Sequence, residues 1–425
     1  MKKTLRLLLF YSAFITYNAH ATAPLGMFVP YDINLRLKKP VPQDFQFHIL
    51  GEKSFSVKGY ATDINEEITF EVNPLQIYEP TQNLISMYQG IDAPDALYPQ
   101  VLNSIAGGPG GGVSDYSNGL FTPTGKFSCG QVAFGATYGL PSNFYISAYL
   151  PVCFAKLSSV NWAYAGNDIL FAGEQIQNEL VNSFVQDSEK YFDLNVGCWK
   201  QNGIGDTTFL VEWQKDFPQI RRQLLRNVQA NLRVGLSLPT GVKVNEHRIM
   251  SVPFGADGSV SLPFGGGLGI NLGSLAEVGF SGQFWYFWSN QKIRRIKTFP
   301  TQTTLLFPTL AQTYKEFSFL QNFNLYAQLY TPSKRFSLKG VYQYWRKQHD
   351  RVTPLCTGFN FDVINTAFSL DEMTRHTFFA MAVYCPRQGD FKKVIPQFEL
   401  FLKGTFGGTR AATACTYGAQ LSLIF

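Results

Sequence analysis

A serine at Ser117, followed by Asn118 and Gly119, is one place where a nucleophile could sit, and GGPGGG at 107–112 is one where backbone could cradle phosphate. Neither carries its chemistry through. A serine nucleophile needs a base within hydrogen-bond reach, yet two residues before Ser117 stands Asp115, and the nearest histidines in sequence are His48 and His20. The glycine run lacks the Lys-Ser/Thr ending and the following helix of a phosphate loop, so it reads as a loop. His247, His349 and His376 are isolated in sequence, and Asp371-Glu372 falls in an expected loop, so no paired-carboxylate site emerges. Six cysteines between Cys129 and Cys415 show no CxxC and no zinc-like spacing. No cofactor, no metal and no enzyme activity is expected.

One cysteine pair invites a bond. If a hairpin turns about Pro141, Cys129 and Cys153 stand directly opposed, and opposed residues of an antiparallel pair come within disulfide range. Two free, packed thiols are the leading reading, and the disulfide is the alternative.

The elements that must position these residues are strands. The first 21 residues have a basic start (Lys2, Lys3, Arg6), an apolar run from Leu7 to Ile15 and Ala19-His20-Ala21, the pattern of a secretory signal peptide cut after Ala21. Export permits disulfides. Of the formal charge of +6, that segment carries three, leaving +3 on 22–425. So small a charge does not argue for nucleic acid. Local basic runs at 220–226 and 292–297 read as solvated turns or loops. No stretch of about 18 apolar residues follows the signal, although 45 % of residues are hydrophobic and 15 % aromatic.

Dyad alternation recurs instead. In 226–239, Val228, Ala230, Leu232, Val234, Leu236 and Leu238 share one face while Gln229, Asn231, Arg233 and Ser237 share the other. The same period runs through 275–288, 317–330 and 394–404. Noisier versions lie at 126–138, 143–157, 205–215, 262–272, 334–347, 374–386 and 411–425, with 44–60 the weakest. In that last segment Gly51–Ser54 could be a turn, and Lys53 falls on the oily face. Connections alternate short and long from 138 onward, except for a brief loop at 405–410. Long strands, short turns on one side and long loops on the other imply an all-β, transmembrane, antiparallel up-and-down barrel of about twelve strands, with a range of ten to fourteen. A sheet in lipid must close, so the first and last strands should pair. Segment 61–124 is either a long loop or a lumen plug.

Strand parity names the inward side chains: Asp206, Glu212, Arg233, Glu277, Gln283, Asn322, Asn324, Lys339, Gln343, Glu399 and Lys403. A structural network or a solute path are both open readings, because small barrels are filled by side chains.

Three resemblances add to this. The closing YGAQLSLIF, with Tyr417, Gly418, Leu421, Leu423 and Phe425, resembles the C-terminal recognition strand of bacterial outer-membrane β-barrel proteins. That likeness implies reading by the barrel-assembly machinery, and residence in the outer membrane of a Gram-negative-type bacterium. GIGD at 203–206 and NLRVGLSLPTG at 231–241 resemble outer-membrane proteins associated with meta-cleavage (phenol degradation) pathways, related in style to hydrocarbon and fatty-acid transporters. This implies uptake of small hydrophobic or aromatic compounds. The serine run at 117–119 resembles the serine end of the outer-membrane phospholipase motif, but Asp115 stands where that family has histidine. The expected function is passive passage of small solutes. The alternative is a closed structural or surface-interaction barrel that binds partners through its external loops. Expected partners are membrane lipid, the assembly machinery and a small solute.

Overall fold

The computed structural model describes residue 29 and residues 44–62, 69–89, 119–165, 174–219, 224–386 and 394–425. The signal segment, the GGPGGG run and Ser117 with Asp115 lie outside them.

Twelve strands form the wall. They are β1 (Phe45–Thr62), β2 (Leu120–Leu140), β3 (Phe144–Tyr164), β4 (Thr207–Pro218), β5 (Leu225–Leu238) and β6 (Ser261–Leu272). The second half comprises β7 (Ala276–Phe287), β8 (Leu320–Tyr330), β9 (Phe336–Lys347), β10 (Met373–Tyr384), β11 (Ile395–Thr409) and β12 (Ala411–Ile424). Each pairs antiparallel with its chain neighbour, and β1 pairs with both β2 and β12, from Gln46↔Ile424 to Tyr60↔Ala411. The sheet therefore closes and leaves no free edge. All twelve expected segments are wall strands, although β2 and β3 run further, over 21 residues each.

Alternation fixes which face meets which solvent. On β11, Phe398, Leu400 and Leu402 stand outward, the last two more than 60 % exposed, while Gln397, Glu399 and Phe401 are buried inside. On β12, Tyr417 and Phe425 face outward, and Gln420 and Ser422 are buried inward. Apolar outside and polar inside is the wall of a transmembrane β-barrel, whose outer apolar band is about 25 Å tall. No described helix is long and apolar enough to cross a membrane, which bears only on helices.

The weakest expected strand shows why its pattern was noisy. Gly51–Ser54 is strand, not turn, and the β1–β12 register shifts between Ser54 and Ser56. Phe55 is the inserted residue, and a bulge of this kind reverses parity. Below it Gln46, His48, Leu50 and Glu52 are buried; above it Val57 and Ala61 are.

The short connections among the described residues (141–143, 273–275, 331–335) follow alternate strands from the longer ones. Arg410 alone, at φ 49°, joins β11 to β12. The long loops fold on one another as a cap with its own apolar core. Helix α1 (Glu174–Phe192) contributes Phe184 and Phe192. The upper ends of β2 and β3 add Phe121, Phe127 and Leu157, and the described part of the first loop adds Leu75, Leu84, Ile85 and Met87. Residues 69–89 thus pack into this core together with inward-facing residues at the top of the wall. Val29, upstream of the barrel, packs against a second cluster that includes Tyr149, Trp285 and Trp345.

A three-stranded sheet (Asn290–Ile296, Thr309–Glu316, Arg351–Pro354) completes the cap. The basic run at 292–297 lies in it and corrects the expectation of a solvated loop. Arg294 and Lys297 are buried, because Asp257 and Glu246 arrive from another loop to meet the run.

Candidate functional site: polar lumen, aromatic collar and cap cavity

The inward faces of the strands bring the predicted residues together. Glu212 stands opposite Arg233 in register, and Arg233 Nη2 donates to Gln283 Oε1 at 2.8 Å. Gln283 faces Asn322, and Gln343 Nε2 donates to Asn324 Oδ1 at 2.9 Å. Glu277 accepts from the hydroxyls of Tyr326 (2.9 Å) and Tyr330 (3.0 Å). Lys339 lies over the Tyr326 ring and Lys403 over Phe379. Glu399 accepts from Gln397 Nε2 at 3.1 Å. Acids and bases alternate around the wall, so no single sign of charge dominates.

Parity also places residues that had no assigned role. Gln131 donates to Glu52 at 2.7 Å. His48 Nδ1 is 2.9 Å from Ser422 Oγ, its Nε2 is 3.2 Å from Thr137 Oγ1, and Thr137 meets Ser147 at 2.8 Å. A serine–histidine contact is the raw material of a nucleophile. Here both residues are buried in the closing seam, with a threonine on the far nitrogen, and the chain of hydroxyls laces β12, β1, β2 and β3 together. Among the described residues no group of three or more His, Cys, Asp or Glu could hold a metal.

Two assignments change. Asp206 precedes β4 rather than lining the wall. Its Oδ1 accepts from Gly241 N (2.9 Å) and its Oδ2 from Ala256 N (2.6 Å), while Thr240 Oγ1 donates to Gly205 O at 2.9 Å. The GIGD and LPTG motifs, some 35 residues apart, thus meet, and together they pin the β5–β6 loop to the barrel rim. Gly255 is required there, since a Cβ would fall on the Asp206 carboxylate. Burial pushes that carboxyl up to about 6; its two backbone donors pull the other way, and Asp257 adds to the rise.

The cysteine register also differs. The three-residue turn 141–143 centres on Ser142, so Cys129 faces Ala155 and Cys153 faces Gln131. Both are buried free thiols.

Towards the long-loop end an apolar, aromatic cluster faces inward. Trp285 stacks on Trp345 with centroids 5.1 Å apart, Arg375 lies over Trp345, and Phe287, Phe317 and Leu320 join the cluster. A cavity of about 200 Å³ lies in the cap. Its lining includes Met373 and Ala412, at the tops of β10 and β12, together with apolar side chains of several loops. Five cations line it: Arg248, Arg294, Arg295, Lys315 and Arg410. Burial lowers Arg294, brings Arg295 to about 10 and brings Lys315 to about 8. Lys315 pairs with Asp350 at 3.0 Å, and Asp350 also takes Lys347 at 3.0 Å. Arg295 is spent on carbonyls, those of Phe192, Asp193, Phe307 and Pro308 among them. Sequence patterning could not find this chamber, because its walls come from loops without periodicity.

The remaining histidines are local. His247 meets Asp193 at 2.7 Å and His349 meets Asp371 at 3.0 Å, both exposed. His376 Nδ1 is 2.7 Å from the Tyr342 hydroxyl. Glu372 takes both Nε and Nη2 of Arg346.

No protein-family model matches the chain, and no curated protein matches it. Solved structures do. An outer membrane channel from Pseudomonas putida F1 is 11 % identical over 91 % of this chain and 96 % of its own, with a TM-score of 0.49. The toluene transporter TbuX of Ralstonia pickettii is 9 % identical over 96 % and 95 %, at 0.30. The NanC porin is 9 % identical over 72 % and 98 %, at 0.31. All three stay below 0.5, and the barrel stands on its own geometry.

Proposed function

We propose that this protein is an outer-membrane channel for the passive, one-at-a-time passage of small solutes, with its termini and short turns on the periplasmic side after signal-peptide cleavage. The observation that carries the reading is the lumen's demand for water. Gln46 Nε2, Gln131 Oε1, Asn231 Oδ1, Gln283 Nε2, Asn324 Nδ2, Gln397 Oε1 and Glu399 Oε2 are buried there with no hydrogen-bond partner on the protein. Each such group costs about 1–3 kcal/mol if left dry. Seven together cost on the order of 10 kcal/mol, comparable to the whole stability of a domain. A hydrated thread through the wall's interior removes that cost, and a hydrated thread is a path.

The dense side-chain filling makes the path narrow, in keeping with a selective channel rather than an open pore. The aromatic collar and the apolar walls of the cap cavity favour solutes with a hydrophobic body. The outward face of Tyr417, Leu421, Leu423 and Phe425 supports a role in recognition by the assembly machinery. The cap's separate apolar core favours a second reading, a closed barrel that binds partners at the surface. Purified protein in planar bilayers separates the two: small discrete conductance and flux of small aromatics are expected, and the absence of both overturns the channel.

A further inference from the structure

The cap cavity has a chemistry of its own, and we propose that it is a binding site for a small monoanion with a compact apolar body. The inference rests on the channel reading and names the class of solute that the channel takes. Size comes first. An apolar cavity of about 150 Å³ accepts benzene, so about 200 Å³ holds one ring-sized body with a small head group. The walls suit the body: Leu194, Ile249, Leu305 and Phe307 line the space.

Charge selects the head group. Five cationic side chains line the cavity against two carboxylates, those of Glu246 and Asp257. Most of these cations are already engaged. Arg294 lies against Asp257, Lys315 against Asp350 and Arg410 against Asp371, while Arg295 donates to carbonyls. Arg248 differs. Its Nε is buried without a hydrogen-bond partner, no carboxylate pairs with it among the described residues, and its guanidinium lies 4.7 Å from the Trp199 ring centroid. A guanidinium stacked on an indole is held flat, with its edge free to fork onto a carboxylate. The ligand's carboxylate takes that edge and its ring takes the apolar wall.

Benzoate is the simplest probe, with benzyl alcohol and benzylammonium as neutral and cationic counterparts of the same size. Isothermal titration of full-length protein in detergent should show benzoate binding at least tenfold more tightly than either counterpart. In Arg248→Gln that preference should disappear, while Arg248→Lys should retain part of it. Leu305→Trp, which fills the cavity, should weaken all three. Equal binding of the three probes by the wild type overturns the proposal, as does a benzoate preference that survives Arg248→Gln. If Arg248→Gln does not fold, failure of Leu305→Trp to weaken benzoate overturns it as well. Benzoate flux through bilayers without saturable binding overturns the site and leaves the channel standing. Binding with no flux of any solute overturns the channel and leaves the site.

Discussion

Replacing Asp206 with alanine removes the pin between barrel rim and cap, and the structure sets the scale of the loss. Two backbone N–H groups, of Gly241 and Ala256, lose a carboxylate acceptor. Hydrogen bonds to a charged group contribute about 1.5–3 kcal/mol each, so the gross loss is about 3–6 kcal/mol. Against this stands the cost of keeping the carboxylate ionised. With its pKa at about 6 rather than the ordinary 3.8, ionisation at neutral pH costs about 3 kcal/mol. Asp206→Ala relieves that cost, so the net loss at pH 7.5 is about 0–3 kcal/mol. The sign of the pH dependence follows. A carboxyl whose folded pKa is raised contributes most below its unfolded value, and the contribution falls as pH rises towards 6. The difference between wild type and Asp206→Ala should therefore widen as pH drops from 7.5 to 5. Hydrogen exchange of residues 239–260 in detergent measures it as local opening free energy. A difference that does not widen between pH 7.5 and 5 refutes the pin.

Arg295→Ala should release the cap rather than the barrel, since the guanidinium ties α1 and the 307–308 turn through carbonyls. A loss of more than about 3 kcal/mol, seen as proteolysis of the long loops with heat-modifiable barrel mobility unchanged, is expected. Non-reducing peptide mapping should recover Cys129 and Cys153 unlinked. Deleting Phe425, whose N–H donates to Phe45 O at 2.8 Å, should slow insertion into vesicles, and wild-type insertion kinetics would remove its role in assembly.

Much of the wall was legible because a period of two is enforced at every position where one face meets lipid and the other a polar interior. That holds over 228–238 of β5 and 397–402 of β11, and it fails at β1, where the bulge at Phe55 shifts parity midway. The cap was not legible. The run 292–297 reads as a solvated basic stretch because Glu246 and Asp257, which meet it, stand 35 or more residues away in another loop. The register assumed for Cys129 and Cys153 differs for a smaller reason: moving the turn centre by one residue slides it by two. The motif pair GIGD and LPTG was visible as sequence, but its meeting point on Asp206 depends on the β5–β6 loop folding back.

The closing seam has a kinetic consequence. His48 and Ser422 are 374 residues apart, whereas neighbouring strands elsewhere are joined by hairpins, some only a few residues long. Bringing such distant ends together costs about 3 kcal/mol more in chain entropy than closing a ten-residue loop. Non-local pairing of this kind is slow. The hairpins therefore form first, and for an interval the chain exists as an open, curling sheet with β1 and β12 as raw margins. During that interval the two margins could pair with strands of another chain as readily as with each other. The hydroxyl lacing around His48 is completed only when β1 and β12 of one chain meet in this register.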